Sequence, residues 1–324
     1  MEDKKLQIGQ ARAGMNRIGA VLIVYYLIMN TAASLVLLAD VLVYLLKALS
    51  AGETIGITQV LNHISDAALS NGWGYILAIV VGCVVLLIWK GKDFCCREIF
   101  LREKKMSVSV FIMLLCVFVL PQGLVMIYMP ALEWLLNQLG LSATAALELI
   151  DISTDSLSMF LYASVLGPIS EELLFRGVLL RLLRPYGKQA AILISAVLFG
   201  LFHGNLIQIP FAFLVGLVLG YVTVEYSIVW AMVLHIFNNF VLSDLIGRLA
   251  EVQPELAGIL NFAVVGLFSI AAVILLIVEK TDVGKYFREN KMGRIPAKGF
   301  LRSPAVWIFT AMMLLSCLLT IKPI

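Results

Sequence analysis

Three clusters of polar and charged side chains interrupt an otherwise apolar part of the chain between residues 167 and 239. The residues in them that could do chemistry are, in chain order, Glu171, Glu172, Arg176, His203, His235 and Asn239. Carboxylates and imidazoles are the groups that enzymes use most often to transfer protons, and amides donate hydrogen bonds to developing negative charge. Together these residue types can supply a general base and the donors that an oxyanion needs.

The first cluster holds more acid than base. Glu172 and Arg176 are four residues apart, so they can pair on one face of a helix that Pro168 would start or kink. Glu171 points about 100° away from that face and is left without this partner. A desolvated carboxylate without its own cation is suited to accept a proton, which favours Glu171 as the general base. The alternative is that all three charges form a purely structural buried network.

The second cluster contains a histidine between two glycines. Phe199 and His203 are four residues apart and share a helix face. Gly200 and Gly204 have the same spacing and would let another backbone or a substrate come close. The alternative for His203 is a structural hydrogen bond near the end of a helix.

The third cluster repeats the spacing of four. His235 and Asn239 can therefore point into one cavity, and the alternative is a polar clamp between two helices. The remaining histidine, His63, lies in a polar stretch from residue 62 to 66 and is predicted to be a solvated loop residue.

Turn signals bring the three clusters to similar depths. Residues 184–187, Arg-Pro-Tyr-Gly, predict a helical hairpin in which Glu171 and His203 both lie about 24 Å from the turn. A second turn near residues 226–227 places the third cluster roughly 13 to 20 Å from the same side. The clusters are thus predicted to form one site.

The composition identifies the solvent in which these helices lie. Of the 324 residues, 61% are hydrophobic and only 14% charged, with a mean hydropathy of +0.98. Soluble domains are closer to half apolar and about a quarter charged. The sequence therefore predicts an all-α, polytopic transmembrane helical bundle of eight or nine spans. The predicted spans are about 18–46, 73–89, 107–129, 156–180, 189–205, 208–225, 228–246, 257–278 and 304–321.

The polar segments between these spans divide one predicted domain into four parts. It comprises a cytoplasmic N-terminal segment 1–17, a transmembrane bundle 18–278 with its catalytic core at 155–245, a basic cytoplasmic segment 279–303 and a C-terminal segment 304–324 with the last span. Residues 130–155 are predicted to form an amphipathic helix at the membrane interface. Lys and Arg crowd alternate connections, which predicts a cytoplasmic N-terminus. The five cysteines form no CxxC pair and are interpreted as small hydrophobic residues.

The order of the three motifs resembles a known family. Glu171-Glu172-x-x-x-Arg176, then Phe199-x-x-x-His203, then His235-x-x-x-Asn239 is similar to the motif set of the CPBP family of intramembrane proteases. That family includes the type II CAAX prenyl endopeptidases and the bacterial abortive-infection (Abi) and bacteriocin-processing proteins. The resemblance covers about residues 155–245.

The resemblance implies a role for each motif residue. Glu171 with His203 would activate the attacking water, and Glu172 with Arg176 would complete the first motif in a supporting role. His235 and Asn239 would polarise the scissile carbonyl and stabilise the oxyanion, with Phe199 packed beside the site. Glu171, His203 and His235 are also a plausible zinc set, although no HExxH motif is present. A divalent metal such as zinc and a metal-free glutamate mechanism both stay open.

Three classes of function follow from these observations. The first is an intramembrane endopeptidase, a multi-pass protein of the bacterial plasma membrane that cuts a membrane-associated peptide or a protein, prenylated or not, and binds no nucleic acid. The second is a proton-coupled transporter of small solutes, because membrane carboxylates and histidines also form proton relays. Only one polar half is visible, whereas transporters commonly show paired repeats. The third is a non-catalytic immunity scaffold.

Overall fold

The computed structural model describes residues 2–143 and 156–323, and almost all of them are helical. Its first helices are α1 (Glu2–Ser50), α2 (Ile57–Ser70), α3 (Trp73–Lys90) and α4 (Val108–Gln138). A single π-helical turn, Phe94–Glu98, lies between α3 and α4. Gly91 ends α3 with a φ of 79°, a conformation that glycine adopts without a steric penalty.

The next helix, α5, is a run of short pieces that follow each other without a gap. They are Leu157–Phe160, Leu161–Leu166, Gly167–Glu172, Leu173–Leu179 and Leu180–Leu183, the second and fourth of them π-helical. A 3₁₀ turn, Arg184–Tyr186, then leads through Gly187 into α6 (Lys188–Phe202). The helical hairpin predicted from the Arg-Pro-Tyr-Gly signal is therefore present.

The remaining helices complete the bundle. They are α7 (Gln208–Glu225), α8 (Ile228–Val252, with a π-helical middle at Phe237–Leu245), α9 (Pro254–Val278), α10 (Lys280–Glu289), α11 (Arg294–Leu301) and α12 (Pro304–Leu319). Two short strands, β1 (Leu141–Ser142) and β2 (Lys322–Pro323), pair antiparallel with Leu141 opposite Pro323.

The all-α, polytopic architecture is confirmed. In the described part of the chain, α1, α3, α4, α7, α8 and α9 are long and apolar enough to cross a membrane, and α11 with α12 adds a seventh span if that bent pair is counted as one. The predicted count of eight or nine is not confirmed. The stretch 156–180 corresponds to α5, which π-helical turns interrupt, and 189–205 corresponds to α6, which has only 15 residues.

Two local predictions differ from the structure or go beyond it. Residues 130–138, predicted to begin an interfacial helix, continue α4 past Pro130, and residues 144–155 of the same prediction lie outside the described part of the chain. His63 is not in a loop: it lies in α2, its ring stacks on Tyr44 at 4.1 Å, and its Nε2 lies 2.8 Å from Asp40 Oδ2. The polar residues around His63 form the exposed face of an amphipathic helix, whose polarity resembles that of a loop.

The buried core lies where α5, α6, α7 and the first half of α8 meet, with α1 and α12 packed on the outside. Glycines allow α6 and α7 to come close. A Cβ on Gly216 would lie 3.2 Å from Ala196, and one on Gly200 would lie 2.7 Å from the carbonyl oxygen of Ile209. This close packing holds the second motif against the first, because α6 also packs on α5.

The basic segments meet at one end of the bundle. Glu225, at the end of α7, accepts hydrogen bonds from Lys104 at 2.8 Å, Lys188 at 2.6 Å and the hydroxyl of Tyr286 at 3.1 Å. Its side chain is 4% exposed. One carboxylate thus joins the connection before α4, the start of α6 and helix α10.

Candidate active site

Glu172 and Arg176 form a fully buried ion pair inside α5. Arg176 Nη1 lies 3.0 Å from Glu172 Oε1, and both side chains are 0% exposed. The same oxygen, Oε1, accepts from Nδ1 of His235 at 3.0 Å. The spacing of four residues predicted the pair, and its complete burial keeps both side chains away from any open space.

Phe199 explains how the arginine tolerates this burial. Its ring lies against the guanidinium, with 4.1 Å from Arg176 Cζ to the ring centroid, which is a cation–π contact. The same ring meets His203 edge to face at 5.0 Å and His235 at 5.8 Å. Gly216 makes room, because a Cβ there would lie 3.1 Å from the Phe199 ring. Phe199 therefore packs at the centre of all three motifs.

His203 lies directly after the last turn of α6. Its Nδ1 is 2.9 Å from the carbonyl oxygen of Phe199, and a carbonyl can only accept, so Nδ1 carries the hydrogen. In the neutral ring Nε2 is then an acceptor. The next residue, Gly204, has a φ of 54°, which ends the helix and which a β-carbon would strain.

His235 is oriented by the same logic. Its Nδ1 donates to the carboxylate of Glu172, which also pairs with Arg176, so Nε2 faces the other way. On that side lies Glu171, with 3.8 Å between His235 Nε2 and Glu171 Oε2. Glu171 is 22% exposed at its side chain, in contrast to its buried neighbour. The two adjacent glutamates therefore differ: Glu172 is enclosed in the ion pair, and Glu171 faces open space.

That space is a cavity of about 730 Å³. Among its lining residues are Glu171, Phe199, His203, His235 and Asn239. The structure thus brings the cavity-facing residues of all three motifs together, while Glu172 and Arg176 lie behind them. Their chemical roles stay predictions.

An amide chain on the cavity wall was missed by sequence reasoning. Gln122 Nε2 donates to Asn238 Oδ1 at 2.9 Å, and Asn238 Nδ2 donates to Asn239 Oδ1 at 3.0 Å. Asn239 Nδ2 in turn donates to the carbonyl oxygen of Ala163 at 2.9 Å. The signal that could have found Gln122 is its polarity directly after Pro121 within an otherwise apolar span.

The cavity extends toward the end of the bundle opposite the basic segments. Asp244, Arg248 and Glu251, on the second half of α8, line it there. Helix α8 begins beside the Tyr226–Ser227 turn at the basic end and rises about 37 Å over its 25 residues. Arg248 Nε lies 3.2 Å from each carboxylate oxygen of Asp244, which makes this wall charged as well as polar.

The placement of the acidic and imidazole groups does not fit a bound metal. Within residues 2–143 and 156–323, no group of three or more His, Cys, Asp or Glu side chains is arranged to hold a metal ion. The Nε2 atoms of both histidines, whose Nδ1 atoms are hydrogen-bonded, are suitable zinc donors by chemistry. Within the described residues these positions do not converge as a ligand set.

The comparisons with known proteins agree with the motifs. Residues 153–241 match the family model described as type II CAAX prenyl endopeptidase Rce1-like. This range contains every predicted motif residue and ends two residues after Asn239. No curated protein and no solved structure shows a significant match to the chain.

Proposed function

Residues 153–241 belong to the type II CAAX prenyl endopeptidase Rce1-like family, and from this premise we propose that the protein is an intramembrane endopeptidase. It hydrolyses a peptide bond of a membrane-associated protein or peptide. The observation that carries the proposal is the different environment of the two adjacent glutamates. Glu172 forms an ion pair with Arg176 and accepts a hydrogen bond from His235, while Glu171 faces the cavity.

In the proposed reaction Glu171 is the general base. A water held between Glu171 and Nε2 of His203 loses a proton to the Glu171 carboxylate as its oxygen attacks the carbonyl carbon of the substrate. The C–N bond then breaks, and Glu171 returns the proton to the departing amine. This leaves a carboxylic acid and an amine and restores the ionised base.

His235 and Asn239 line the same cavity and are the proposed donors for the oxyanion. Asn239 offers an amide N–H, and His235, held through Nδ1 by Glu172, turns its Nε2 toward the same cavity. Removing one donor of this kind typically lowers kcat about 10²- to 10³-fold. Glu172 supports the reaction indirectly by holding the ring of His235.

The cavity sets limits on the substrate. Its volume of about 730 Å³ falls in the range of roughly 300–1,000 Å³ that is common for ligand sites, so it accepts a short extended segment of peptide. A prenylated CAAX-type C-terminus and an unmodified bacteriocin or signalling peptide are both compatible with this space.

The basic end is proposed to face the bacterial cytoplasm with the N-terminus, so that the cavity opens toward the opposite leaflet. Cys96 is exposed at the basic end. A membrane-impermeant thiol reagent should therefore leave Cys96 unlabelled in intact cells, and labelling from outside would contradict this orientation.

Cleavage by the purified protein tests the proposed function. Detergent-solubilised wild type would be incubated with a prenylated CAAX-type peptide and with a library of unmodified peptides, and new termini read by mass spectrometry. Glu171→Gln and His203→Ala should each remove the products, by about 10²- to 10⁴-fold for loss of the base. If both variants cleave at the wild-type rate, Glu171 is not the base and the proposal is wrong. Activity that survives a chelator wash would support the metal-free route.

A further inference from the structure

The carbonyl of Ala163 determines which atom of each side-chain amide on the cavity wall donates and which accepts. A carbonyl oxygen only accepts, so Asn239 must turn its nitrogen toward Ala163. Its oxygen then faces Asn238 and accepts from that amide nitrogen. The oxygen of Asn238 is left facing Gln122, which donates to it. Each amide therefore constrains the orientation of the next.

The winding of α5 explains why the Ala163 carbonyl is available. In an α-helix it would accept from Gly167 N–H, but within the π-helical turn that N–H bonds to Tyr162 instead. The donor five residues after Ala163 would be residue 168, which is proline and has no N–H. Asn239 fills the vacancy that Pro168 leaves, since a buried carbonyl without a donor is costly.

The amide chain uses only one of the two hydrogens on the Asn239 side-chain nitrogen. An amide nitrogen carries two hydrogens, and Ala163 takes one of them. Asn239 lines the same cavity as Glu171 and His235, so the second hydrogen is available to an oxygen held there. If the amide flipped, its oxygen would face the developing oxyanion and repel it.

We propose that Gln122 and Asn238 are positioning residues that hold the Asn239 amide with its nitrogen toward the substrate. This inference rests on the proposed function and deepens it. Gln122 lies on α4, outside the matched segment 153–241, so the site is completed by a helix that the three motifs do not include.

Reversing the polarity of the first amide tests the proposal. In Gln122→Glu the new carboxylate accepts, so Asn238 turns its nitrogen toward it and its oxygen toward the Asn239 oxygen. The repulsion between these two oxygens opposes the hydrogen bond to Ala163 that orients Asn239. We expect kcat to fall about tenfold or more with KM little changed, because only transition-state stabilisation is lost. Gln122→Met, which removes the hydrogen bond without reversing it, should cost less. A wild-type kcat in Gln122→Glu would overturn the inference.

A second variant changes the other end of the amide chain, where Asn239 donates to Ala163. Pro168→Ala restores an N–H that can bond to Ala163 and release Asn239. It should lower kcat in the same way, and Gln122→Glu added to it should lower kcat little further, because both act through Asn239. Fully additive losses would indicate two unrelated structural effects and contradict the proposal.

The controls separate this proposal from the proposed function. Gln208→Glu adds the same carboxyl group to the cavity wall outside the amide chain, and its kcat should stay well above that of Gln122→Glu. Thermal unfolding in detergent shows whether each variant is folded. If Glu171→Gln is inactive but Gln122→Glu and Pro168→Ala match wild type, only the positioning role fails. If Glu171→Gln is active, the proposed function fails first.

Discussion

At the scale of single residues, the protein uses two adjacent carboxylates in different ways. Glu172 is completely enclosed with Arg176, whereas Glu171 borders the cavity. A buried ion pair contributes little net stability, but removing one partner leaves an uncompensated charge in a medium that solvates it poorly. The two neighbours should therefore respond differently to the same substitution, Glu172 through folding and Glu171 through catalysis.

Glu172→Gln should destabilise the protein. The substitution leaves Arg176 buried without a countercharge and weakens the hold on His235, and breaking such a pair costs about 3–5 kcal/mol. The exposed pair Lys285–Glu289 has the same i, i+4 spacing, with side chains 64% and 61% exposed. Glu289→Gln is thus the matched control and should change stability by about 1 kcal/mol or less. Equal melting temperatures for the two variants in detergent would contradict this account.

At the scale of helices, irregular winding and close packing place the motif residues. The π-helical turns of α5 and α8 lie beside the proposed catalytic groups, as such turns often do at functional sites. The glycines of α6 and α7 let these two helices approach closely, and Gly216 leaves room for the Phe199 ring that lies against Arg176. The site thus depends on backbone geometry as much as on its polar side chains.

Gly200→Ala should disturb the site through packing. The added methyl group would lie 2.7 Å from the Ile209 carbonyl oxygen, a backbone atom that cannot easily move. Overpacking of this kind costs about 1–3 kcal/mol, and cleavage should also fall because α6 carries His203 to the cavity. Gly258→Ala, in α9 with no atom within 4 Å of the new methyl group, should stabilise by about 0.5–1 kcal/mol. Similar melting temperatures for both variants would show that the close approach is unimportant.

At the scale of the whole molecule, the two ends of the bundle differ. One end carries the clamp, which is Glu225 with its partners Lys104, Lys188 and Tyr286, and the cavity extends toward the other end. Glu225 joins three segments at the first end. The clamp ties α6 and α7, the hairpin that carries His203, to the connections around it. Through Lys188 and Glu225 it joins the start of α6 to the end of α7.

Alkaline pH should release this clamp. The hydrogen bond and charge of Glu225 raise the pKa of Lys104 above its usual value of 10.5, and burial followed by Glu225 raises the pKa of Tyr286 in the same direction. Both groups hold their protons more tightly when folded, so their contribution is complete below the unfolded pKa and is lost as pH rises through the folded pKa. The wild type should therefore lose melting temperature above about pH 10.5 more steeply than Glu225→Gln, as thermal scans across that range would show. Parallel curves would exclude the clamp as the titrating element.

Much of the site could be predicted because spacing on a helix is a local property. Glu172 with Arg176 and Phe199 with His203 are four residues apart, and each couple does share a helix face. The hairpin turn was equally local, since proline and glycine determine it. The predicted loop at His63 was wrong because an amphipathic helix and a polar loop have similar composition. The span count was not confirmed because hydropathy does not reveal π-helical interruptions or the true length of α6.

The sequence by itself determined the membrane class, the helical bundle and the residues of the three motifs, because hydropathy and helical periodicity act over short stretches of chain. The i, i+4 spacing already left Glu171 outside the Glu172–Arg176 pair, but only the tertiary structure decided that this pair is fully enclosed and contacted by His235, 63 residues further along, while Glu171 faces the cavity. It also decided that Gln122 on α4 belongs to the site, through a hydrogen bond across 116 residues. Contacts at such separations depend on how the helices pack, and no local pattern encodes them.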